Sequence, residues 1–270
     1  MKWSALIPSP PLRPWVNRYW SWQEEANMPP LLPGTGGELF FWYQQPVGIT
    51  SAIAPESACS RSALLLPRDC PFNFHSTAPF SFIAVRFRAG ALRHFCPCPE
   101  AELIDTALHP REIWGDEIRH LEQKMAEAGG LRERIQHIEG FLLTQLQRHY
   151  RQQHHWLDEV IRQIYYRHST VTQSELVTCS GFSTRYFQKI FRQHFGVTPR
   201  HFQRIIRFEQ LTRHLLLNRQ QHYLASALEY GYYDQSHFIH DFRYFTGNAP
   251  SRFFQENNFS AHFYNHPTLW

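Results

Sequence analysis

Arg185, Gln188, Lys189 and Arg192 fall at i, i+3, i+4 and i+7, so a helix through them carries one glutamine and three cations on a single stripe. Those side chains suit the edges of bases in a DNA major groove. Arginine or lysine can bond guanine O6 and N7, and glutamine can bond adenine N6 and N7. The opposite stripe, Phe187, Ile190, Phe191 and Phe195, would anchor such a helix to a core. A second set, Gln235, Ser236, His237, His240 and Arg243, stands beside a similar apolar stripe of Phe238, Phe242 and Phe245. It holds fewer strong base readers, so it would discriminate less and rely more on phosphate and thymine-methyl contacts, with Ile239 alongside. Its two histidines are read as neutral hydrogen-bonding groups.

A solvated charged face would account for the first stripe alone; its recurrence is what argues for a designed surface. Residues 181–202 read GFSTRYFQKIFRQHFGVTPRHF and residues 231–253 read GYYDQSHFIHDFRYFTGNAPSRF. Setting Phe187 on Phe238 also sets Phe191-Arg192 on Phe242-Arg243, Gly196 on Gly247, Pro199 on Pro250 and Phe202 on Phe253. Each copy runs glycine, aromatic, a capping residue (Ser183 or Asp234), a stripe ending in Phe-Arg, then glycine and proline, which writes a turn leading into a short helix. Upstream, Leu157, Val160, Ile161 and Ile164 share one helical face, and Thr172 or Ser174 opens a short helix ending at Gly181. Between the copies, Pro199 to Leu217 reads as one long helix of about 28 Å, close to the roughly 34 Å turn of the duplex. It would hold the two units apart, with Arg200, Arg204, Arg207 and Arg213 available to phosphate or to solvent.

The charge distribution agrees. Residues 155–254 carry 12 basic and 7 acidic side chains, whereas residues 1–154 carry 15 of each, so the positive excess lies with the repeat. The first part has another character. GELFFWYQ (37–44), ALLLP (63–67) and FSFIAVRFR (80–88) are strand-length runs separated by turn signals such as LPGTGG and PRDCPF. From 113 to 151 proline is absent and apolar residues fall at helical spacing, predicting two helices broken near Gly129-Gly130. The expected architecture is α+β with two domains: a β-rich, barrel- or cupin-like sensor domain over 1–115, a helical linker and dimerisation region over 116–154, and an all-α domain over 155–254 in which a long helix joins two helix-turn-helix units. Residues 255–270 read as a tail. The start lacks a signal-peptide core and no apolar run reaches membrane-spanning length, so a cytoplasmic protein without membrane contact is expected. Five cysteines, Cys59, Cys70, Cys96, Cys98 and Cys179, read as reduced thiols. No GxSxG, Walker loop or HExxH is present, and no enzyme activity, catalytic residue, metal or cofactor is expected.

The two signatures, GFSxRYFxKIFR…GxTP and GYxDQSHFxxDFR…GxxP, strongly resemble the AraC/XylS family of bacterial transcription regulators over about residues 155–254. The resemblance implies a sequence-specific regulator, an activator by preference, that places two recognition helices in successive major-groove segments of double-stranded DNA. Its base-reading positions fall on Arg185, Gln188 and Lys189 in the first unit and on Gln235, Ser236, His237 and His240 in the second. Val177 replaces the usual alanine of the first unit, and His240 replaces the frequent arginine of the second. The N-terminal segments PPLRPWVNRYW, LPGTGGELFFWY and FIAVRFRAGAL resemble the family's sensor domains more loosely. They imply a small-molecule effector, with His75, Arg86 and Arg88 as candidate pocket residues, and a homodimer. RNA polymerase is the further implied partner and the nucleoid the implied location. Two alternatives rest on cysteine: a DNA-repair methyltransferase resembling Ada, with a zinc-held nucleophile, and a redox sensor using Cys96-Pro97-Cys98. The ten residues between Cys59 and Cys70 suit zinc poorly, and cysteines separated by one residue close at best a strained disulfide.

Overall fold

The computed structural model describes residues 3–25, 28–55, 59–96, 104–150, 155–218 and 223–255 of the 270-residue chain. The tail over 256–270, residues 151–154 of the linker region, and Pro97 and Cys98 of the cysteine pair lie outside them.

The N-terminal domain is antiparallel. Strands β1 (Trp3–Leu6), β2 (Val16–Glu25), β3 (Glu38–Trp42), β5 (Ser62–Leu65), β7 (Phe80–Phe87) and β8 (Ala107–Leu108) form one sheet in the order β1-β2-β7-β3-β5-β8. Strands β4 (Gly48–Ser51) and β6 (Phe72–His75) form a second. All eight residues of β7 are buried, because its alternating side chains meet covered surfaces on both sides. Phe80, Phe82 and Ala84 join Trp20, Phe40, Trp42, Phe72 and Phe74 in an aromatic core, while Ile83, Val85 and Phe87 face helices. Those helices are α1 (Arg111–Trp114), α2 (Asp116–Glu127) and α3 (Leu131–His149), which present Ile118, Leu121, Met125, Ile138 and Leu142. Gly129 and Gly130 separate α2 from α3, where the sequence places the break.

The C-terminal domain is helical: α4 (His155–Tyr166), α5 (Gln173–Ser180), α6 (Thr184–Phe195), α7 (Pro199–Asn218), α8 (Tyr223–Glu229), α9 (Gln235–Thr246) and α10 (Pro250–Phe253). The first unit has its own core, in which Leu157, Val160, Ile161 and Ile164 of α4 meet Phe187, Phe191 and Phe195 of α6. The core of the second unit, Phe238, Phe242 and Phe245, belongs to one apolar cluster with the aromatic core of the β domain. Helix α7 serves both, giving Phe202 and Ile206 to the first and Ile205, Phe208, Leu211 and Leu215 to the second. The expected long helix is present as a central element buried along most of its length.

Paired charges fasten the domains. Arg86 of β7 lies between two carboxylates, Glu38 of β3 and Glu209 of α7, and Arg68 also pairs with Glu38 at 3.2 Å. The four side chains are 8% exposed or less, so each depends on its partners. The other oxygen of Glu209 accepts the Thr35 N–H at 3.3 Å and its hydroxyl at 3.4 Å. Gly34 and Gly36 permit that approach, since a Cβ on Gly34 would stand 3.3 Å from Glu209 and one on Gly36 would overlap the Phe87 carbonyl at 2.4 Å. At the first unit, Gly90 (φ 67°) leaves room for Ile161 and Phe195, and Arg93 and His94 both reach Asp158 of α4.

Two expectations follow. Arg86→Ala leaves Glu38 and Glu209 buried without their shared cation and lowers the unfolding free energy by about 3–5 kcal/mol, measured by urea denaturation. The second concerns acid. Burial pushes the His94 imidazole below its ordinary value of 6.5 against the pull of Asp158. For Asp158 burial acts upward, but the His94 hydrogen bond and the Arg93 charge outweigh it and hold the carboxyl below its ordinary 3.8. Both groups take up protons at higher pH when unfolded, so their contribution is complete above the unfolded values and is lost as pH falls toward the folded ones. Urea midpoints should fall first below pH 6.5 and again in the carboxylate range, and His94→Gln should reduce the first step, which the half-buried His168 imidazole shares.

Candidate nucleic-acid interface

Helix α6 starts where Ser183 accepts the Tyr186 N–H and stops at Gly196, whose φ of 67° breaks the helix. Helix α9 repeats the arrangement: Asp234 accepts the His237 N–H at 2.7 Å, and Gly247 at φ 70° ends it. In the preceding helix of the first unit, Thr172 and Glu175 form a reciprocal capping box. These local devices fix twelve residues in each helix and hence which side chains face out.

Arg185, Gln188, Lys189 and Arg192 are all exposed on α6, while Phe187, Phe191 and Phe195 are buried beneath them. On α9, Gln235, Ser236, His240 and Arg243 are exposed. The last three line a shallow concavity with Ile239 and Tyr244. His237 is placed differently. Its Nδ1 accepts the Tyr233 N–H at 3.4 Å and its Nε2 lies 3.9 Å from Asp241, so both ring nitrogens turn toward the unit itself.

Of the arginines along α7, Arg200 alone is exposed. Arg204 donates to Asp241 at 2.9 Å and lies 4.2 Å over the Tyr244 ring. Arg207 lies 5.4 Å over the Tyr232 ring. These are packing cations of the second unit and not free phosphate ligands. Asp241 was not among the residues singled out from sequence. It is a carboxylate of α9 that is buried between Phe238 and Phe242, and an acid next to a core phenylalanine was the available signal.

Arg86 and Arg88 line one cavity of about 430 Å³ between the domains, with Trp15, Ile161, Tyr165 and Glu209 among its walls. His75 is not part of it. That side chain is exposed on β6 and bonds Thr50 Oγ1 at 2.6 Å. Arg86 enters the cavity already paired on both sides, whereas Arg88 is exposed and donates its Nε to the Arg13 carbonyl.

The cysteine chemistry finds little footing. Burial pushes the Cys70 thiol up, helped by the Asp105 carboxylate, and burial also pushes up Cys179. An activated thiolate requires the reverse. Among the described residues no group of three or more histidine, cysteine or acidic side chains is arranged to hold a metal. In the same residues no helix is long and apolar enough to cross a membrane.

Against known families, the model of a Helix-turn-helix domain matches residues 176–256, and that of a domain of unknown function, DUF6597, matches residues 4–109. The helix-turn-helix match supports the resemblance to the AraC/XylS family over the C-terminal domain. An HTH-type transcriptional regulator of Haemophilus influenzae is 35% identical over 79 residues. That match spans 29% of this chain and 26% of the relative, all within a fraction of its length. Among solved structures, ToxT from Vibrio cholerae superposes with a TM-score of 0.54 at 12% identity, covering 87% of this chain and 97% of ToxT. ToxT bound to (E)-4-(8-methylnaphthalen-1-yl)but-3-enoic acid gives 0.53 at 11% identity, with 87% and 98% covered. The shared architecture is an antiparallel β domain followed by a helical domain with helix-turn-helix units.

The cap geometry gives a direct expectation for this helix-turn-helix domain. Asp234→Ala removes the side-chain acceptor at the start of α9 and should cost about 1 kcal/mol. Urea denaturation together with faster amide exchange in the first turn of α9 would measure it.

Proposed function

We propose that this chain is a sequence-specific DNA-binding transcription regulator that sets α6 and α9 into successive major-groove segments of one duplex. The carrying observation is the pair of capped helices, each with a buried phenylalanine triplet beneath an exposed polar stripe. In α6 that stripe is Arg185, Gln188, Lys189 and Arg192, the set richest in groups that bond purine edges. In α9 it is Gln235, Ser236, His240 and Arg243, with His237 serving the unit's own turn. The first helix carries most of the sequence discrimination, and the second supplies register and affinity.

In this reading residues 1–115 sense, 116–154 link and dimerise, and 155–254 bind DNA. The family resemblance favours an activator that engages RNA polymerase at the nucleoid. The cavity at Arg86 and Arg88 is of ligand size, with apolar walls and a few polar groups, and it supports a small-molecule effector. Its position between the domains, against Glu209 of α7, would give such a ligand a hold on the DNA-binding half.

The test is selection of a duplex from a random pool with the full chain, followed by competition gel shifts across a salt series. Affinity for the selected duplex should fall steeply with salt. Arg185→Ala and Lys189→Ala should each lose about 1–3 kcal/mol of discrimination while low-salt, non-specific binding persists. Equal affinity of the wild-type chain for all duplexes at physiological salt would defeat the reading.

A further inference from the structure

The connection between β5 and β6 carries Asp69 out of the β domain to the second helix-turn-helix unit. There its Oδ2 accepts His201 Nε2, on the first turn of α7, at 2.5 Å and the Tyr244 hydroxyl of α9 at 3.2 Å. Tyr244 follows Arg243 and shares its concavity with Ser236, Ile239 and His240, so Asp69 touches the rim of the surface proposed to face DNA. Beneath that rim, the Arg204 guanidinium covers the Tyr244 ring and bonds Asp241 of the same helix.

The Asp69 carboxylate is held in place. Its backbone N–H donates to Asp105 Oδ1 at 2.6 Å, and Asp105 has a φ of 56°, the one positive value outside glycine among the described residues. Its second oxygen is buried without a hydrogen-bond partner. Asp69 also follows Arg68 directly, and Arg68 belongs to the buried charge network with Glu38 and Arg86. One peptide bond therefore joins that network, which reaches the cavity through Arg86, to the contact on α9.

We propose that Asp69 forms an autoinhibitory contact: the β domain holds the second recognition helix by Tyr244, and full engagement of DNA by α9 requires that hold to be released. This rests on the DNA-binding reading above. Two physical effects oppose the duplex while the contact stands. A carboxylate at the rim repels a backbone that carries one charge per about 1.7 Å of helix axis. The bond also fixes α9 to the β domain, whereas the groove imposes its own orientation. The free energy of the contact is subtracted from DNA affinity, and by linkage DNA binding loosens Asp69 as much as loosening Asp69 favours DNA.

The experiment uses the full chain and the duplex that the wild type enriches from a random pool. Tyr244→Phe removes only the hydroxyl and keeps the ring under Arg204; Asp69→Ala removes the carboxylate. Each should bind the selected duplex about three- to tenfold more tightly, the range expected for loss of one competing hydrogen bond. The double variant should gain no more than the stronger single one, because both break the same contact. An enriched duplex whose affinity neither variant raises overturns the autoinhibitory contact and leaves the DNA-binding reading standing. A pool in which nothing is enriched overturns both.

Discussion

Arg86 can stay buried only because two carboxylates reach it from different domains. Glu38 comes from the neighbouring strand of its own sheet and Glu209 from the helix that joins the two DNA-binding units. Removing any of the three leaves a desolvated charge, so the packing of α7 against the β domain is enforced electrostatically. The approach also needs a backbone with no side chains in the way, which the loop Gly34-Thr35-Gly36 supplies. Its glycines clear space, and the threonine between them donates twice to Glu209. Once α7 is seated there, both helix-turn-helix units follow, since it contributes core residues to each.

The two units hang from this frame unequally. The first folds around a core of its own and meets the β domain through Gly90 and the Arg93, His94 and Asp158 cluster. The second shares an apolar cluster with the β domain's aromatic core. The unit proposed to hold the stronger base readers is thus the more self-contained one. The unit proposed to hold the weaker readers is the one whose setting depends on the N-terminal half. Duplication made two similar helices, and their surroundings differ.

What the sequence could reveal followed the range of the interactions concerned. Ser183, Asp234, Gly196 and Gly247 act on residues within one turn, and the apolar stripes repeat with the helical period, so α6 and α9 and, His237 apart, their outward faces were legible residue by residue. The strands around 38–42, 62–65 and 80–87 were legible from their apolar runs, but the complete burial of β7 was not, because it needs a second covering layer contributed by distant helices. Arg204 looked like a surface cation because its partner, Asp241, lies 37 residues on. His75 and Arg86 looked equivalent as polar residues on strands. One ended on the outer face and the other at the centre of the interdomain network, a difference set by sheet position. The contacts of His237 are local, Tyr233 just before the helix and Asp241 one turn on within it, but the helical period alone does not show that the ring turns inward.

The chemistry of the interface bears on how it could change state. Apolar surface exposed by separating domains pays in full against water, whereas ionic groups regain hydration when they part. The continuous apolar cluster beneath the second unit therefore resists wholesale separation from the β domain. Tyr244 is half exposed and stands at the edge of that cluster, not within it. A small tilt of α9 could break its bond to Asp69 while Phe238, Phe242 and Phe245 stay buried. Control at the rim and cohesion at the centre are then compatible, because the polar contact that sets the helix's orientation is physically separate from the apolar contacts that hold it in the fold.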